Sequence, residues 1–196
     1  MYKLFGGGDF TIRLMNIGLT EQFMIHLKTA FAFGILMASP YIIKVLFDFI
    51  RPALYEKERQ HSTGIVVSSY VMFMIGVAVN YLFIFPLTVR FLGTYQVSEQ
   101  VSNMLTLQSY MDMLLMMSIV FGIVFEIPVI SWLLARFGLL KAEYMTQYRR
   151  HAIVAILIIA AIITPTGDAF TLLIVSLPIW LLYELSVLIV KRVARE

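Results

Sequence analysis

The chain has 196 residues, of which 60% are hydrophobic and 14% are charged, and its formal net charge is +3. Soluble domains average about 45–50% apolar and about 25% charged residues, so this composition excludes an ordinary soluble domain and indicates an integral membrane protein. Cysteine is absent, which excludes a disulfide framework and thiolate chemistry. In a membrane protein, an excess of Lys and Arg is more typical of cytoplasmic loops than of nucleic-acid binding.

Apolar stretches predict an all-α polytopic helix bundle that forms a single transmembrane domain over residues 1–196. The chain starts with a polar, glycine-punctuated loop at residues 1–21, which has no apolar run of signal-peptide length. Pro86 is predicted to end the second span, and residues 90–110 to lie outside the membrane. We expect the last two helices to be short. The five predicted spans cover residues 22–47, 64–85, 111–134, 152–163 and 170–190.

The fourth predicted span is the shortest of the five. Its 12 residues correspond to about 18 Å of helix, whereas the hydrocarbon core of a bilayer is about 30 Å thick. Such a helix either thins the bilayer or is sheltered by its neighbours.

The basic residues orient the chain in the membrane. Eleven of the 15 Lys and Arg residues fall on the side of the C-terminal tail, and the positive-inside rule therefore places that side in the cytoplasm. The cytoplasmic parts are then the loops 49–62 and 136–151 and the tail 191–196. Residues 1–21 become extracytoplasmic, although no earlier span carries them across. We expect from this that the chain is a fragment or has a misassigned start, and that it lacks one preceding span.

Glu126 lies in the third predicted span, within a run from 113 to 135 that carries no other charge. A carboxylate at this depth costs about 2.5–3.5 kcal/mol on insertion scales, so we expect it to be protonated, paired or facing a polar cavity. Ser118, Gly122 and Glu126 are spaced by four and form one small, polar helix face suited to close helix approach. Pro128 is expected to bend the helix. Glu126 is either a docking or gating point for a partner helix, or a neutral acid hydrogen-bonded inside the bundle.

Three further polar residues lie in or beside the apolar runs. Glu184 is seven residues before Lys191, which is compatible with structural pairing near the surface or with function. Asn80 is a candidate for hydrogen bonding between helices. Asp168 directly precedes the last predicted helix, where it is expected to act as the N-cap and to meet the positive end of the helix dipole.

The sequence contains no recognisable catalytic or cofactor motif. Its three histidines do not form an H-E-x-x-H pair, and no G-x-S-x-G, P-loop or dinucleotide-binding glycine pattern is found. We therefore expect no enzyme activity, no metal site and no cofactor.

The loop between the first two predicted spans is the most charged part of the chain. It reads FIRPALYEKERQ over residues 49–60, with Glu56 and Glu58 beside Lys57 and Arg59. These charges are compatible with a solvated, weakly paired loop. The less favoured interpretation from charge alone is a carboxylate held for a basic ligand, because Arg–carboxylate pairs are bidentate and directional.

Five motifs follow one another along nearly the whole chain. They are Ser39-Pro40, residues 49–59, Phe85-Pro86-Leu87, Phe125-Glu126-Ile127-Pro128 and Thr164-Pro165 with Asp168. Together these motifs resemble the TatC family, the multi-spanning subunit of the twin-arginine protein translocase. The resemblance implies a cupped bundle of six helices, of which this chain lacks the first together with the N-terminal arm. The T-P-T-G-D turn is one residue longer than the family's common T-P-P-D.

The resemblance also implies a function. Proteins of this family bind the twin-arginine signal peptides of folded cargo and recruit single-span TatA-like and TatB-like subunits for export driven by the proton-motive force. They reside, with further copies of themselves, in the cytoplasmic membrane of bacteria or the corresponding organellar membrane. Glu58 matches the glutamate that contacts the signal arginines, and Glu126 the intramembrane glutamate associated with partner helices. The other matching positions are Pro52, Leu54, Tyr55 and Arg59 in the loop and Pro165 and Asp168 in the turn.

The alternative from another functional class is a proton-coupled transporter of small solutes, with Glu126 and Glu184 as proton carriers. Internal repeats or paired broken helices would favour it, and the sequence shows neither.

Overall fold

The computed structural model of the chain describes residues 14–50, 62–94, 105–164 and 168–194. Most of these residues are helical. A π-helical turn, Asn80–Ile84, joins the second and third helices, and two short strands, β1 (Leu14–Met15) and β2 (Leu105–Thr106), pair in parallel. The helices are α1 (Glu21–Ile50), α2 (Ser62–Val79), α3 (Phe85–Thr94), α4 (Leu107–Val124), α5 (Ile127–Arg136), α6 (Ala142–Gln147), α7 (Arg149–Ile163) and α8 (Ala169–Val193).

The expectation of a polytopic, all-helical membrane protein is confirmed. Within the described residues, four segments are long and apolar enough, by length and composition, to cross a membrane. The predicted short span corresponds to α7, whose 15 residues rise about 22 Å. α8 has 25 residues and rises about 37 Å, so only α7 of the last two helices is short. The four segments are Glu21–Phe49, Thr63–Thr94, Leu107–Arg136 and Ala169–Val193.

The sequence predicts that the second span ends at Pro86. In the structure the helix continues past this residue to Thr94. Proline has no backbone N–H and its ring crowds the carbonyl four residues earlier, which normally breaks or kinks a helix. Here the turn before Pro86 is widened, because the N–H of Phe85 donates to the carbonyl of Asn80, five residues back. Beyond the proline, Phe85 and Val89 are buried in the core, and this packing stabilises the continued helix.

The main core lies where the π-helical turn, α3 and α4 meet α7 and α8. α4 is central to it, with Met117 and Phe121 fully buried. The first turn of α4 is capped by Thr106, whose Oγ1 accepts a hydrogen bond from the N–H of Ser109. The buried residues of this core are Ile84, Phe85, Val89, Met117, Phe121, Val124, Phe125, Ile156, Ala160, Ile163, Val175, Ile179 and Leu182.

At the N-terminal end of α1, Glu21 connects two segments that are distant in sequence. Its Oε2 accepts hydrogen bonds from the N–H groups of Ile17 and Gly18, each at 2.9 Å, and its Oε1 accepts one from the N–H of Gln108 at 3.0 Å. Glu21 is 7% exposed. The strand pair β1–β2 lies beside these bonds, so the segment before α1 is tied to the start of α4.

α1 is the least buried of the four long segments. In its apolar stretch, 17% of the residues are buried inside the protein, against 33–39% in the other three segments. It packs on α2 and α4. Lys28 on α1 forms an ion pair with Asp112 on α4, with N–O distances of 2.6 and 2.7 Å. Near its C-terminal end, α1 packs in a hydrophobic cluster that we call the Phe47 cluster. This cluster contains the buried Phe47 and Leu133 with the partly buried Ile65, Val66, Trp132 and Phe137.

Candidate functional site

The small, polar face of α4 that the sequence singles out is covered by α2 of the same chain. The residue numbers rise along α2 as they fall along α4, so the two helices run antiparallel. We call this contact the α2–α4 seam. Three of its pairs are Asn80–Ser118, Phe73–Gly122 and Ser69–Glu126. Asn80 lies in the π-helical turn directly after α2, and Glu126 lies just after the end of α4.

Two glycines allow the helices of the seam to approach closely. A Cβ atom at Gly76 would lie 2.5 Å from the carbonyl oxygen of Phe121 and 2.9 Å from the Cβ of Phe125. A Cβ atom at Gly122 would lie 2.6 Å from the ring of Phe73. Small residues at membrane-helix interfaces permit such backbone approach, which increases van der Waals packing. The predicted close approach of a helix to this face of α4 is therefore confirmed, and that helix is α2.

Glu126 lies where the third span is interrupted, between the end of α4 and the start of α5, with Pro128 in the first turn of α5. The bend expected from Pro128 is thus observed as a break in the helix. Oε2 of Glu126 accepts a hydrogen bond from Oγ of Ser69 at 2.5 Å. Oε1 is buried and has no hydrogen-bond partner within the part of the chain that the structure describes. The carboxyl group is therefore bonded inside the bundle.

Asn80 provides a second polar contact across the seam. Its side chain is fully buried, and Nδ2 donates to Oγ of Ser118 at 3.0 Å. The Ser118 hydroxyl in turn donates to the carbonyl of Leu114 at 2.7 Å. The expected hydrogen bond between helices at Asn80 is confirmed.

Glu184 forms an ion pair with Arg149, at 2.9 Å between Nη2 and Oε2. The neighbouring Tyr183 donates its hydroxyl to the carbonyl of Met145 at 2.6 Å. Both contacts connect α8 to residues 145–149, at the end of α6 and the start of α7. No hydrogen bond or ion pair among the described residues connects Glu184 with Glu126, so the two acids of the transporter hypothesis are engaged separately.

Asp168 caps α8, as the sequence predicts, because its Oδ2 accepts a hydrogen bond from the N–H of Thr171 at 2.7 Å. No group of three or more His, Asp or Glu side chains in the described ranges is arranged to hold a metal ion. The remaining predicted site residues lie outside the residues that the structure describes. They are Pro165 in the turn and Pro52, Leu54, Tyr55, Glu58 and Arg59 in the loop.

The sequence analysis does not predict the residues on the α2 side of the seam, apart from Asn80. Their spacing in the sequence would nevertheless have indicated them. Ser69, Phe73, Gly76 and Asn80 follow one another at spacings of four, three and four residues, which places them on one face of a helix. That face mirrors the small, polar face of α4.

Residues 4–178 match the sequence profile of the family described as Sec-independent protein translocase protein (TatC). The chain belongs to the TatC family. It is 37% identical to a TatC of Koribacter versatilis over 175 residues, which cover 89% of this chain and 64% of that protein. It is 32% identical to TatCy of Bacillus subtilis, over 94% of this chain and 72% of that protein.

Solved structures support the same assignment. A crystal structure described as the twin arginine translocase receptor TatC matches with a TM-score of 0.83 and 31% identity, covering 94% of this chain and 80% of that one. A second crystal structure of a TatC in DDM matches with a TM-score of 0.80 and 31% identity, over 90% and 78% of the two chains. The helix arrangement of this chain is therefore that of TatC proteins.

Proposed function

We propose that this chain is a receptor and scaffold subunit of a twin-arginine protein translocase. In this role it binds the twin-arginine signal peptides of folded proteins and recruits single-span TatA-like and TatB-like subunits for export driven by the proton-motive force. The observation that carries the proposal is the family match over residues 4–178, because it includes both the charged loop and the third span.

In the proposed receptor site, Glu58 contacts the arginine pair of the signal peptide, within the motif that also holds Pro52, Leu54, Tyr55 and Arg59. A carboxylate suits this ligand because it accepts bidentate hydrogen bonds from a guanidinium group. The described residues on either side of the loop pack together. Phe47 precedes it and Ile65 follows it, and both lie in the Phe47 cluster.

The same end of the bundle carries cationic groups. Arg136 lies over the ring of Trp132 in the Phe47 cluster, at 5.5 Å from the ring centre, and Lys191 and Arg192 occupy the last turn of α8. Cations of this kind support a cytoplasmic location for this end. We accordingly propose a multi-pass protein of the bacterial cytoplasmic membrane or its organellar counterpart, with a cytoplasmic C-terminus and further copies of itself in the complex.

In the proposed scaffold role, Glu126 contacts the membrane helices of the partner subunits. Its location supports this role, because an acidic residue in the middle of a membrane span costs free energy and is therefore usually functional or paired with another polar group. Glu184 and Asp168 stabilise the bundle instead, through the ion pair with Arg149 and the cap of α8.

The receptor assignment is tested by crosslinking. A photoreactive residue at position 57, which leaves the Glu58 carboxylate in place, is expected to crosslink to a twin-arginine signal peptide in membranes that contain the partner subunits. The crosslink is expected to disappear when both arginines of the peptide become lysine, because lysine cannot form the bidentate contact. Export of a folded cargo protein with this signal peptide is measured in parallel.

Glu58→Gln and Glu58→Ala are both expected to reduce export, whereas Glu56→Gln serves as the matched control in the same loop. Normal export by both Glu58 variants would show that this residue is not the signal contact. A crosslink that persists with the twin-lysine peptide would show that the loop lies near the peptide but does not recognise its arginines.

A further inference from the structure

In the conformation observed the Glu126 carboxyl is engaged with α2, although the residue as a whole is only partly buried. One of its oxygens accepts the hydrogen bond of Ser69, and the other is enclosed by the protein. A partner helix that binds Glu126 therefore has to compete with a residue of α2 for the same group.

The seam around this pair favours a local change over separation of the helices. On one side lie the close contacts of Gly76 with Phe121 and of Gly122 with Phe73. On the other side, Ile65 and Val66, about one turn before Ser69, pack in the Phe47 cluster. Moving α2 away from α4 would disrupt both contacts, whereas turning the Glu126 side chain disrupts one hydrogen bond.

The break in the third span makes such a turn of the side chain feasible. Glu126 lies outside both α4 and α5, directly before Pro128 in the first turn of α5. Its side chain makes no capping hydrogen bond to the backbone of α5. The bond to Ser69 is therefore the polar contact that the structure shows holding the carboxyl on α2.

We propose that Ser69 is a latch and a specificity-determining residue: its hydroxyl holds the Glu126 carboxyl until a partner membrane helix replaces it with a hydrogen-bonding side chain of its own. This inference rests on the proposed function, since it takes Glu126 as the contact for partner helices. A helix with a suitably placed polar side chain exchanges one hydrogen bond for another. An entirely apolar helix would leave the carboxyl without its bond, which is unfavourable in a membrane.

The test uses the purified protein in liposomes with a defined probe, a polyleucine transmembrane peptide that has one glutamine at its centre. Association is measured by energy transfer between labels on the peptide and the protein. Ser69→Ala is expected to strengthen association with this peptide by about threefold to tenfold, the range for removing one competing interhelical hydrogen bond. Ser69→Cys, a weaker donor, is expected to act in the same direction.

Two variants separate the latch from a general structural effect. Ser69→Thr keeps the hydroxyl and is expected to restore the weaker, wild-type association. Ser68→Ala is the matched control, because the exposed Ser68 hydroxyl donates to the carbonyl of Ile65 on its own helix and its loss should leave association unchanged. The all-leucine peptide should associate equally with every variant.

The outcomes distinguish the latch from the function on which it rests. If Glu126→Ala binds the glutamine peptide as well as the wild type, Glu126 is not a contact for partner helices and the scaffold assignment fails. If Glu126→Ala loses binding while Ser69→Ala leaves it unchanged or weakens it, the scaffold role stands and the latch is wrong.

Discussion

Replacing Gly76 with alanine is expected to destabilise this protein by about 2–3 kcal/mol, the upper part of the range for overpacking a core. The added methyl group would lie 2.5 Å from the carbonyl oxygen of Phe121. A backbone atom cannot turn aside as a side chain can, so α2 and α4 have to separate. Their separation weakens the contacts along the seam, including the hydrogen bonds of Ser118 and Glu126. The free energy of unfolding is measured by titrating the protein in mixed micelles with a denaturing detergent.

Gly34→Ala is the matched control for this prediction. Gly34 also lies in a membrane helix, α1, but no atom lies within 4 Å of the position that its Cβ would occupy. Alanine there is expected to stabilise by about 0.5–1 kcal/mol, because it restricts the unfolded chain more than glycine does. Gly122→Ala should fall between the two, since it meets the ring of Phe73, which can turn. Equal effects at Gly76 and Gly34 would contradict the close approach of the helices.

Replacing Glu21 with alanine is expected to release the segment before α1 from the start of α4. Three N–H groups lose a charged acceptor, those of Ile17, Gly18 and Gln108. Hydrogen–deuterium exchange at these amides is expected to accelerate by about tenfold or more, in line with the strength of hydrogen bonds to charged acceptors. The strand pair β1–β2 should lose protection with them.

Two variants provide the comparison. Glu21→Gln retains one acceptor oxygen and is expected to preserve the hydrogen bonds on one side only, either those of Ile17 and Gly18 or that of Gln108. Glu143 is also a first-turn glutamate, in α6, but it is exposed, so Glu143→Ala should leave all three amides unaffected. Unchanged exchange in Glu21→Ala would show that the carboxylate is not what joins the two segments.

The contact between α2 and α4 could be predicted from the sequence only in part. The spacing of Ser118, Gly122 and Glu126 correctly indicated a face for close helix contact, because residues four apart lie on one side of a helix whatever the rest of the chain does. It could not indicate that α2 of the same chain would cover that face. Ser69 lies 57 residues away from Glu126 in sequence, and no local pattern encodes that pairing.

Pro86 shows a local rule overridden by packing. Its missing N–H predicted the end of a helix, and in isolation that rule is sound. The structure instead widens the preceding turn, with Phe85 bonded to Asn80, and continues the helix. The buried side chains of Phe85 and Val89 supply the tertiary contacts that outweigh the local preference.

Local chemistry was sufficient to establish the class of this protein and much of its helical content. Long apolar runs require backbone hydrogen bonds to be satisfied within the helix, and Asp168 caps the helix that follows it directly in sequence. Contacts between distant segments required the folded chain. Such contacts depend on how the helices pack, and packing depends on the shapes of many side chains at once. They include the hydrogen bond between Ser69 and Glu126, the ion pair between Arg149 and Glu184, and the hydrogen bond from Gln108 to Glu21.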